Sequence, residues 1–234
     1  MSAVIQTVAT DDGQDGWLRW TRIDWDFIAR CGSAFLGLPN RPASGVIAVV
    51  SPRRQDGRST IAAGLAAGIA QVTDEATLLL DLDFYRPSQA ERFGIPRTAR
   101  ATDYLRTGAT PPQRAGFSGG ELWALPAPIV SGSLVAGLFQ TLRSNAWITP
   151  YRRAFAWVVI DAPPLLDCPD GRLVSALADA YLLVGHHRRT TFGELRATTE
   201  GLSPGRPTGF FMSQPRARPM PSSGNKTLGF PFLG

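Results

Sequence analysis

Three short segments of the chain carry residues suited to phosphate chemistry. The segment VVSPRRQDGRST places residues 57–60, Gly-Arg-Ser-Thr, directly before an alanine-rich stretch. The apolar runs LLLDLD and VVIDAPP end in Asp81, Asp83 and Asp161. Backbone N–H groups at the start of a helix bind phosphate, a hydroxyl such as that of Ser59 binds magnesium, and carboxylates hold the metal's waters and orient a nucleophile. The three segments together therefore predict a nucleotide site.

Such a site requires elements that bring the three segments to one edge. VIAVV is a short run of apolar residues, typical of a strand that is buried on both faces. STIAAGLAAGIAQ is typical of a helix, and further strands are predicted at ATLLLDLD, ELWALPA, FAWVVIDAPP, AYLLVGHH and TGFFM. Strands that alternate with helices predict a doubly wound, mostly parallel sheet in a three-layer α/β/α fold of the P-loop NTPase type. Ligands bind beyond the carboxyl ends of such strands.

The composition divides the chain into four parts. Residues 1–16 are polar and predicted to be flexible, 17–43 form a Trp-rich helix and a linker, 44–214 form the P-loop-like domain, and 215–234 form a disordered tail rich in Pro, Gly and Ser. The helix has an apolar stripe made of Trp20, Ile23, Phe27, Cys31, Ala34 and Leu38. We expect this stripe to pack on the chain's own domain. The alternative is a docking helix for another subunit or a membrane protein.

Composition also bounds the class of protein. No apolar run reaches 18 residues, the first residues do not form a secretory signal, and two cysteines give no disulfide framework, so we predict a cytoplasmic protein. The net charge is +5, but the basic residues are scattered in pairs, so no nucleic acid is expected as a partner. Attraction to an acidic membrane surface or an acidic protein remains compatible with this charge.

Several motifs resemble those of the bacterial tyrosine autokinases of capsule and exopolysaccharide synthesis. LLLDLDFYRPS is similar to their D-A-D-L-R-R-P-S segment, and WVVIDAPPLLDCPD is similar to their I-I-D-T-P-P-V-L-x-x-x-D segment; TDYLRTGA resembles a further shared segment. The similarity runs from about residue 46 to 213, and the MinD and ParA positioning ATPases are wider relatives. The resemblance implies an ATP- and magnesium-binding domain, peripheral at the inner membrane, whose partner is a membrane chain-length regulator or export protein.

The resemblance also assigns site residues. It implies catalytic carboxylates at Asp81, Asp83 and Asp161, and metal ligands at Ser59, Asp81 and Asp161. It implies cofactor binding by Gln55, Asp56, Gly57, Arg58, Ser59, Thr60, Arg86 and Ser213. Ser213 stands where the family has an asparagine that resembles an adenine-reading position.

The loop departs from the family pattern P-G-E-G-K-S-T. Gln55 replaces its first glycine, so this residue is expected to be strained or the loop to have another shape. Arg58 replaces the lysine, and a planar guanidinium is not equivalent to a slim ammonium group at a tight site. Loss of one well-placed donor at a transition state costs on the order of 3 kcal/mol. The loop therefore predicts impaired phosphate binding.

Tyrosines and the N-terminal helix also depart from the family. The four tyrosines stand at 85, 104, 151 and 181, so no tyrosine cluster follows Ser213. The N-terminal helix lacks the family's pattern of a glutamate and arginines, so the ring assembly of the family is not predicted, and a homo-oligomer stays an open alternative.

Three hypotheses follow from these patterns. The first is a degenerate relative that acts as an accessory or regulator in exopolysaccharide synthesis. The second is a functional ATP-dependent tyrosine autokinase or ATPase, because Ser59 and the carboxylates are retained. The third is a MinD/ParA-like positioning ATPase.

Overall fold

The computed structural model describes residues 25–37, 43–97, 111–115, 119–130, 132–142, 146–168 and 170–213. Within these residues, seven strands form one sheet in the order β3-β4-β2-β5-β1-β6-β7. The strands are β1 (Gly45–Val50), β2 (Thr77–Asp81), β3 (Gln113–Arg114), β4 (Leu122–Leu125), β5 (Trp157–Asp161), β6 (Ala180–His186) and β7 (Thr208–Ser213). All pairs are parallel except the pair of β3 with β4, which confirms the predicted sheet.

Helices cover both faces of this sheet. They are α1 (Trp25–Leu36), α2 (Arg58–Thr73), α3 (Gln89–Phe93), α4 (Gly132–Leu142), α5 (Thr149–Ala154), α6 (Gly171–Ser175) and α7 (Phe192–Glu200). Alternate side chains of β1 enter opposite cores: Ile47 and Val49 meet α1 and α2, whereas Val46 and Ala48 face the core that contains residues of α4, α5 and α6. Because side chains alternate along a strand, an all-apolar run is what a sheet covered on both faces requires. The three-layer α/β/α prediction is thus confirmed.

The register of the central strands sets the position of the predicted carboxylates. β1 lies between β5 and β6, and β5 also pairs with β2. Asp81, the last residue of β2, lies directly beside Asp161, the last residue of β5. The loop that follows β1 therefore emerges at the edge where both carboxylates lie.

Helix α1 packs on α2, as predicted for the N-terminal helix. A Cβ atom at Gly68 would lie 2.6 Å from the backbone nitrogen of Gly32, so the two helices touch at their backbones. The buried residues of α1 include Ile28, Cys31 and Phe35. Ala34 of the predicted stripe is exposed, because the buried face is shifted toward Ile28 and Phe35.

Other predictions concern residues outside the described ones. They are the predictions of flexibility for residues 1–16 and of disorder for 215–234, the segment TDYLRTGA, and Trp20, Ile23 and Leu38 of the stripe. Among the described residues, no helix has both the length and the apolar character needed to cross a membrane.

Candidate functional site

The loop between β1 and α2 turns through backbone conformations that favour glycine. Gly57 has φ 91° and Gln55 has φ 65°, so both lie in the left-handed region. Strain was one of the two outcomes expected for Gln55, and the structure shows it, because the left-handed conformation is unfavourable in energy for an L residue. The loop encloses a cleft of about 220 Å³ lined by Arg53 and residues 55–60.

The backbone of this loop carries several N–H donors that are not used within the fold that the described residues form. The N–H groups of residues 55–59 donate to no acceptor within the described part of the chain, whereas those of Thr60 and Ile61 bond to the carbonyl of Gly57. Unpaired N–H groups at the first turn of a 16-residue helix favour an anion. The loop thus keeps backbone donors of the kind that bind phosphate.

Two residues that were predicted to bind a cofactor hold the loop in place. The Asp56 carboxylate, 3% exposed, accepts the backbone N–H of Arg53 at 2.8 Å and the Thr190 hydroxyl at 3.3 Å. The Ser213 hydroxyl donates to the carbonyl of Asp56 at 2.6 Å. Because these polar groups bond to one another, Asp56 and Ser213 tie the loop to the β6–α7 connection and to the end of β7.

The predicted carboxylates lie together below the loop. Asp81, Asp83 and Asp161 are all buried, with at most 4% of each residue exposed. Asp81 and Asp161 are neighbours in register, and Asp83 follows two residues after Asp81. The prediction that the chain brings these groups and Ser59 to one edge agrees with the structure, since the Ser59 hydroxyl donates to Asp161 Oδ1 at 3.2 Å.

Arg58 fills the space between these carboxylates. Its Nε donates to Asp161 Oδ1 at 2.9 Å, its Nη2 donates to Asp83 Oδ2 at 2.7 Å, and its Nη1 contacts the hydroxyl oxygen of Ser51 at 3.4 Å. The side chain is 7% exposed. Burial by itself would lower the pKa of Arg58, but the charges of Asp161 and Asp83 outweigh it and raise that pKa. The guanidinium therefore stays charged in the cluster.

Gln89 completes the contacts of Asp161. Its Nε2 donates to Asp161 Oδ2 at 2.7 Å and to the carbonyl of Ser59 at 3.0 Å. Gln89 is fully buried, and its Oε1 has no hydrogen-bond partner among the described residues. Sequence reasoning missed this residue; the only available signal was a polar residue within the short helix that follows the Asp-x-Asp pair.

Asp81 is held by backbone donors. Its Oδ2 accepts the N–H groups of Ser88 and Gln89 at 3.0 Å, and its Oδ1 accepts that of Asp83 at 3.2 Å. Burial, followed by the charge of Asp161, raises the pKa of Asp81 to about 8, against the opposite effect of the Gln89 and Ser88 N–H groups. Asp81 therefore organises the turn into α3.

A second arginine, Arg92, also faces the cluster. Burial lowers the pKa of Arg92, and the charges of Asp161 and Asp81 oppose this lowering. The remaining predicted residues, Thr60 and Arg86, are exposed. The backbone N–H of Arg86 donates to the carbonyl and carboxylate oxygens of Asp83.

A magnesium ion does not fit this arrangement. Magnesium takes oxygen ligands at about 2.0–2.1 Å in near-octahedral geometry. Here both oxygens of Asp161 and both of Asp81 accept hydrogen bonds from the protein, and the Arg58 guanidinium lies where a cation would meet Asp83 and Asp161. Among the described residues, no group of three or more acidic, histidine or cysteine side chains is arranged to hold a metal.

Charged groups also connect this loop to two neighbouring segments. Arg53 donates to Glu194 at 2.5 Å and to Asp167 at 3.0 Å, and the Arg54 N–H donates to Asp167 at 2.9 Å. The Arg54 guanidinium lies 6.0 Å from the ring centre of Tyr85. These contacts connect the loop with α7 and with the segment that follows β5.

The proteins whose sequences are similar to this chain include several tyrosine-protein kinases of bacteria. No family model matches the chain. It is 27% identical over 169 residues to a putative tyrosine-protein kinase, EpsB, of Ralstonia solanacearum, covering 68% of this chain and 21% of that protein. It is 27% identical over 157 residues to the tyrosine-protein kinase CpsD of Streptococcus agalactiae, covering 66% of each. The chain thus spans about a fifth of the length of the first of these relatives.

Solved structures show the same fold. The kinase domain of the Escherichia coli tyrosine kinase Etk aligns with a TM-score of 0.66 at 21% identity, covering 83% of this chain and 77% of that one. MinD of Pyrococcus horikoshii, solved with Mg-ADP, aligns with a TM-score of 0.56 at 16% identity, covering 71% and 69%. By its sequence the chain is similar to bacterial tyrosine-protein kinases, and it has the P-loop NTPase-type fold that the Etk kinase domain and MinD also have.

Proposed function

We propose that the protein acts in exopolysaccharide or capsule synthesis as an accessory or regulator of a membrane chain-length regulator or export protein, and that it does so without consuming ATP. The observation that carries this proposal is the position of Arg58. Its guanidinium is bonded to Asp83 and Asp161, in the buried cluster of carboxylates.

This position removes two functions that phosphoryl transfer needs. A cation must neutralise the transferred phosphoryl group, and metal ions must bridge the phosphates. Arg58 is engaged by two carboxylates, so its charge is already neutralised, and those carboxylates are no longer free for magnesium. A guanidinium keeps its proton at all ordinary pH values, so Arg58 occupies these carboxylates independently of pH.

The place in polysaccharide synthesis rests on the resemblance to the autokinases of capsule and exopolysaccharide synthesis. The similarity to EpsB and CpsD supports it, since both are named tyrosine-protein kinases. On this proposal the protein is peripheral at the cytoplasmic side of the inner membrane. The protein keeps the fold of the family, but Arg58, at the position of the family's lysine, is bonded to carboxylates. This combination suits a protein that acts through a binding surface and not through catalysis.

Calorimetry tests the absence of nucleotide use. ATP or ADP with magnesium is titrated into the wild type, and we expect binding weaker than about 1 mM, which corresponds to less than roughly 4 kcal/mol. The variant Gln55→Gly/Arg58→Lys restores the family's residues at both positions and is expected to bind more tightly. Micromolar binding by the wild type that Asp161→Asn abolishes would overturn the proposal.

The unpaired N–H groups of residues 55–59 favour a second candidate, a functional ATP-dependent tyrosine autokinase or ATPase. Phosphotyrosine detection after expression separates the kinase from a mere ATPase. A MinD/ParA-like positioning ATPase is the third candidate. Deletion of the gene is expected to lower the amount or chain length of the polymer, and an unchanged polymer would argue for positioning.

A further inference from the structure

Arg58 joins the start of α2 to the segments that follow β1 and β2 and to the end of β5. It begins α2, and its guanidinium reaches Asp83 after β2, Asp161 at the end of β5 and Ser51 after β1. Both ion pairs are nearly inaccessible to water, with side chains between 0% and 7% exposed. One side chain thus connects the carboxyl ends of the three central strands to the first turn of α2.

A bound magnesium nucleotide would be the other means of linking these segments. The protein's own donors already occupy the carboxylate oxygens that a metal would use, as the contacts of Arg58, Ser59 and Gln89 to Asp161 show. Arg92 adds a second positive charge that acts on Asp161 and Asp81. The negative charge that would attract a divalent ion is therefore compensated from inside the fold.

We propose that Arg58 is the permanent cation of this site, and that it holds the loop, β2 and β5 in one arrangement whether or not a metal or nucleotide is present. The proposal deepens the proposed function and shares its starting observation. It differs in predicting how the carboxyl edge is stabilised, which does not depend on the partner or the polymer.

The consequence for an uncharged variant is specific. Arg58→Met keeps a side chain of similar length but leaves Asp83 and Asp161 buried without their counter-ion. Removing one partner of a buried ion pair is strongly destabilising. The carboxylate oxygens of Asp83 and Asp161 that Arg58 no longer binds, together with the Ser59 hydroxyl, then offer hard oxygen ligands, which magnesium prefers.

Thermal unfolding with and without magnesium chloride, in the absence of nucleotide, tests the proposal. For the wild type we expect no change of Tm with magnesium. For Arg58→Met we expect a Tm lower by on the order of 10 °C, part of which magnesium restores. Arg152→Met, which removes a half-exposed arginine at the opposite edge of the sheet, is the matched control and is expected to show a small loss and no response to magnesium.

Two further variants keep the test decisive if Arg58→Met does not fold. Arg58→Lys keeps the charge but offers a single ammonium group, so its Tm is expected between those of the wild type and Arg58→Met. Arg58→Met/Asp83→Asn removes one of the two orphaned charges and is expected to recover part of the loss. Stability of Arg58→Met equal to that of the wild type, or stabilisation of the wild type by magnesium alone, would overturn the proposal.

The outcomes are separable from those of the proposed function. In one outcome the wild type binds nucleotide, and Arg58→Met has a much lower Tm that magnesium partly restores. The proposal for Arg58 would then stand, and the ATP-independent role would be excluded. In the opposite outcome the wild type binds no nucleotide and Arg58→Met has the Tm of the wild type. The proposal for Arg58 would then be excluded, and the ATP-independent role would stand.

Discussion

The two edges of the sheet each carry an arginine that binds carboxylate, but in opposite surroundings. At the carboxyl edge, Arg58 and its partners Asp83 and Asp161 are buried. At the amino edge, Arg152 of α5 makes a two-bond contact with Asp179, and their side chains are 35% and 47% exposed. Water screens the second pair and not the first. Removing one partner of an arginine–aspartate ion pair is therefore expected to cost a different amount of folding stability at each edge.

The groups around the two ion pairs also differ in what they bind. Asp179 accepts the N–H of Val46 at 2.8 Å and so fastens the start of β1, while Arg152 also donates to the carbonyl of Leu177. These are contacts that close a strand end. The Arg58 cluster instead contains more carboxylates than a strand end requires, which is the residue pattern of a site. Excess buried carboxylates around an internal guanidinium are what our proposal expects of a site in which Arg58 takes the place of a bound cation.

The largest expected difference comes from removing each arginine. Arg58→Met is expected to lower the free energy of unfolding by about 3–5 kcal/mol, because two buried carboxylates lose their counter-ion. Arg152→Met is expected to cost about 1 kcal/mol or less, because its pair is half-exposed. Urea unfolding of both variants measures the difference. Equal losses would show that burial does not separate the two edges.

The pH dependence of stability is expected to have opposite signs at the two edges. The pKa of Asp81 is raised to about 8, so its stabilising contribution is present below its unfolded pKa, near 3.8, and is lost as pH rises through 8. Burial raises the pKa of Asp179, but bonds from Arg152 and Val46 outweigh it and lower that pKa. Its contribution is therefore present above pH 3.8 and lost as pH falls below that value.

Thermal unfolding of Asp81→Asn and Asp179→Asn across pH 3 to 9 checks these signs. Asp81→Asn is expected to flatten the decline of stability between about pH 4 and 8, and Asp179→Asn is expected to change the profile below pH 4. A decline between pH 4 and 8 that is the same in the wild type and in Asp81→Asn would contradict the assignment for Asp81.

The sequence predicted more about the backbone than about the side chains of the site. Apolar runs that end in carboxylates, placed on parallel strands, were enough to predict that Asp81, Asp161 and Ser59 meet at one edge, since parallel strands leave little choice. The direction of Arg58 was not predicted, because a long side chain reaches either the cleft or the carboxylates from the same backbone position. Gln89 was missed for a related reason, as its contacts depend on how a five-residue helix is placed.

The smallest expected effect tests the cost of the loop's shape at the carboxyl edge. Gln55→Gly is expected to raise the free energy of unfolding by about 0.5–1 kcal/mol, because glycine relieves the left-handed strain at φ 65° and returns part of the gain as chain entropy. Gln55→Ala keeps the strain and is the matched control, with little change expected. If Gln55→Gly destabilises the protein instead, the exposed glutamine side chain makes a stabilising contact, and the carboxyl edge is then built for stability much as the amino edge is.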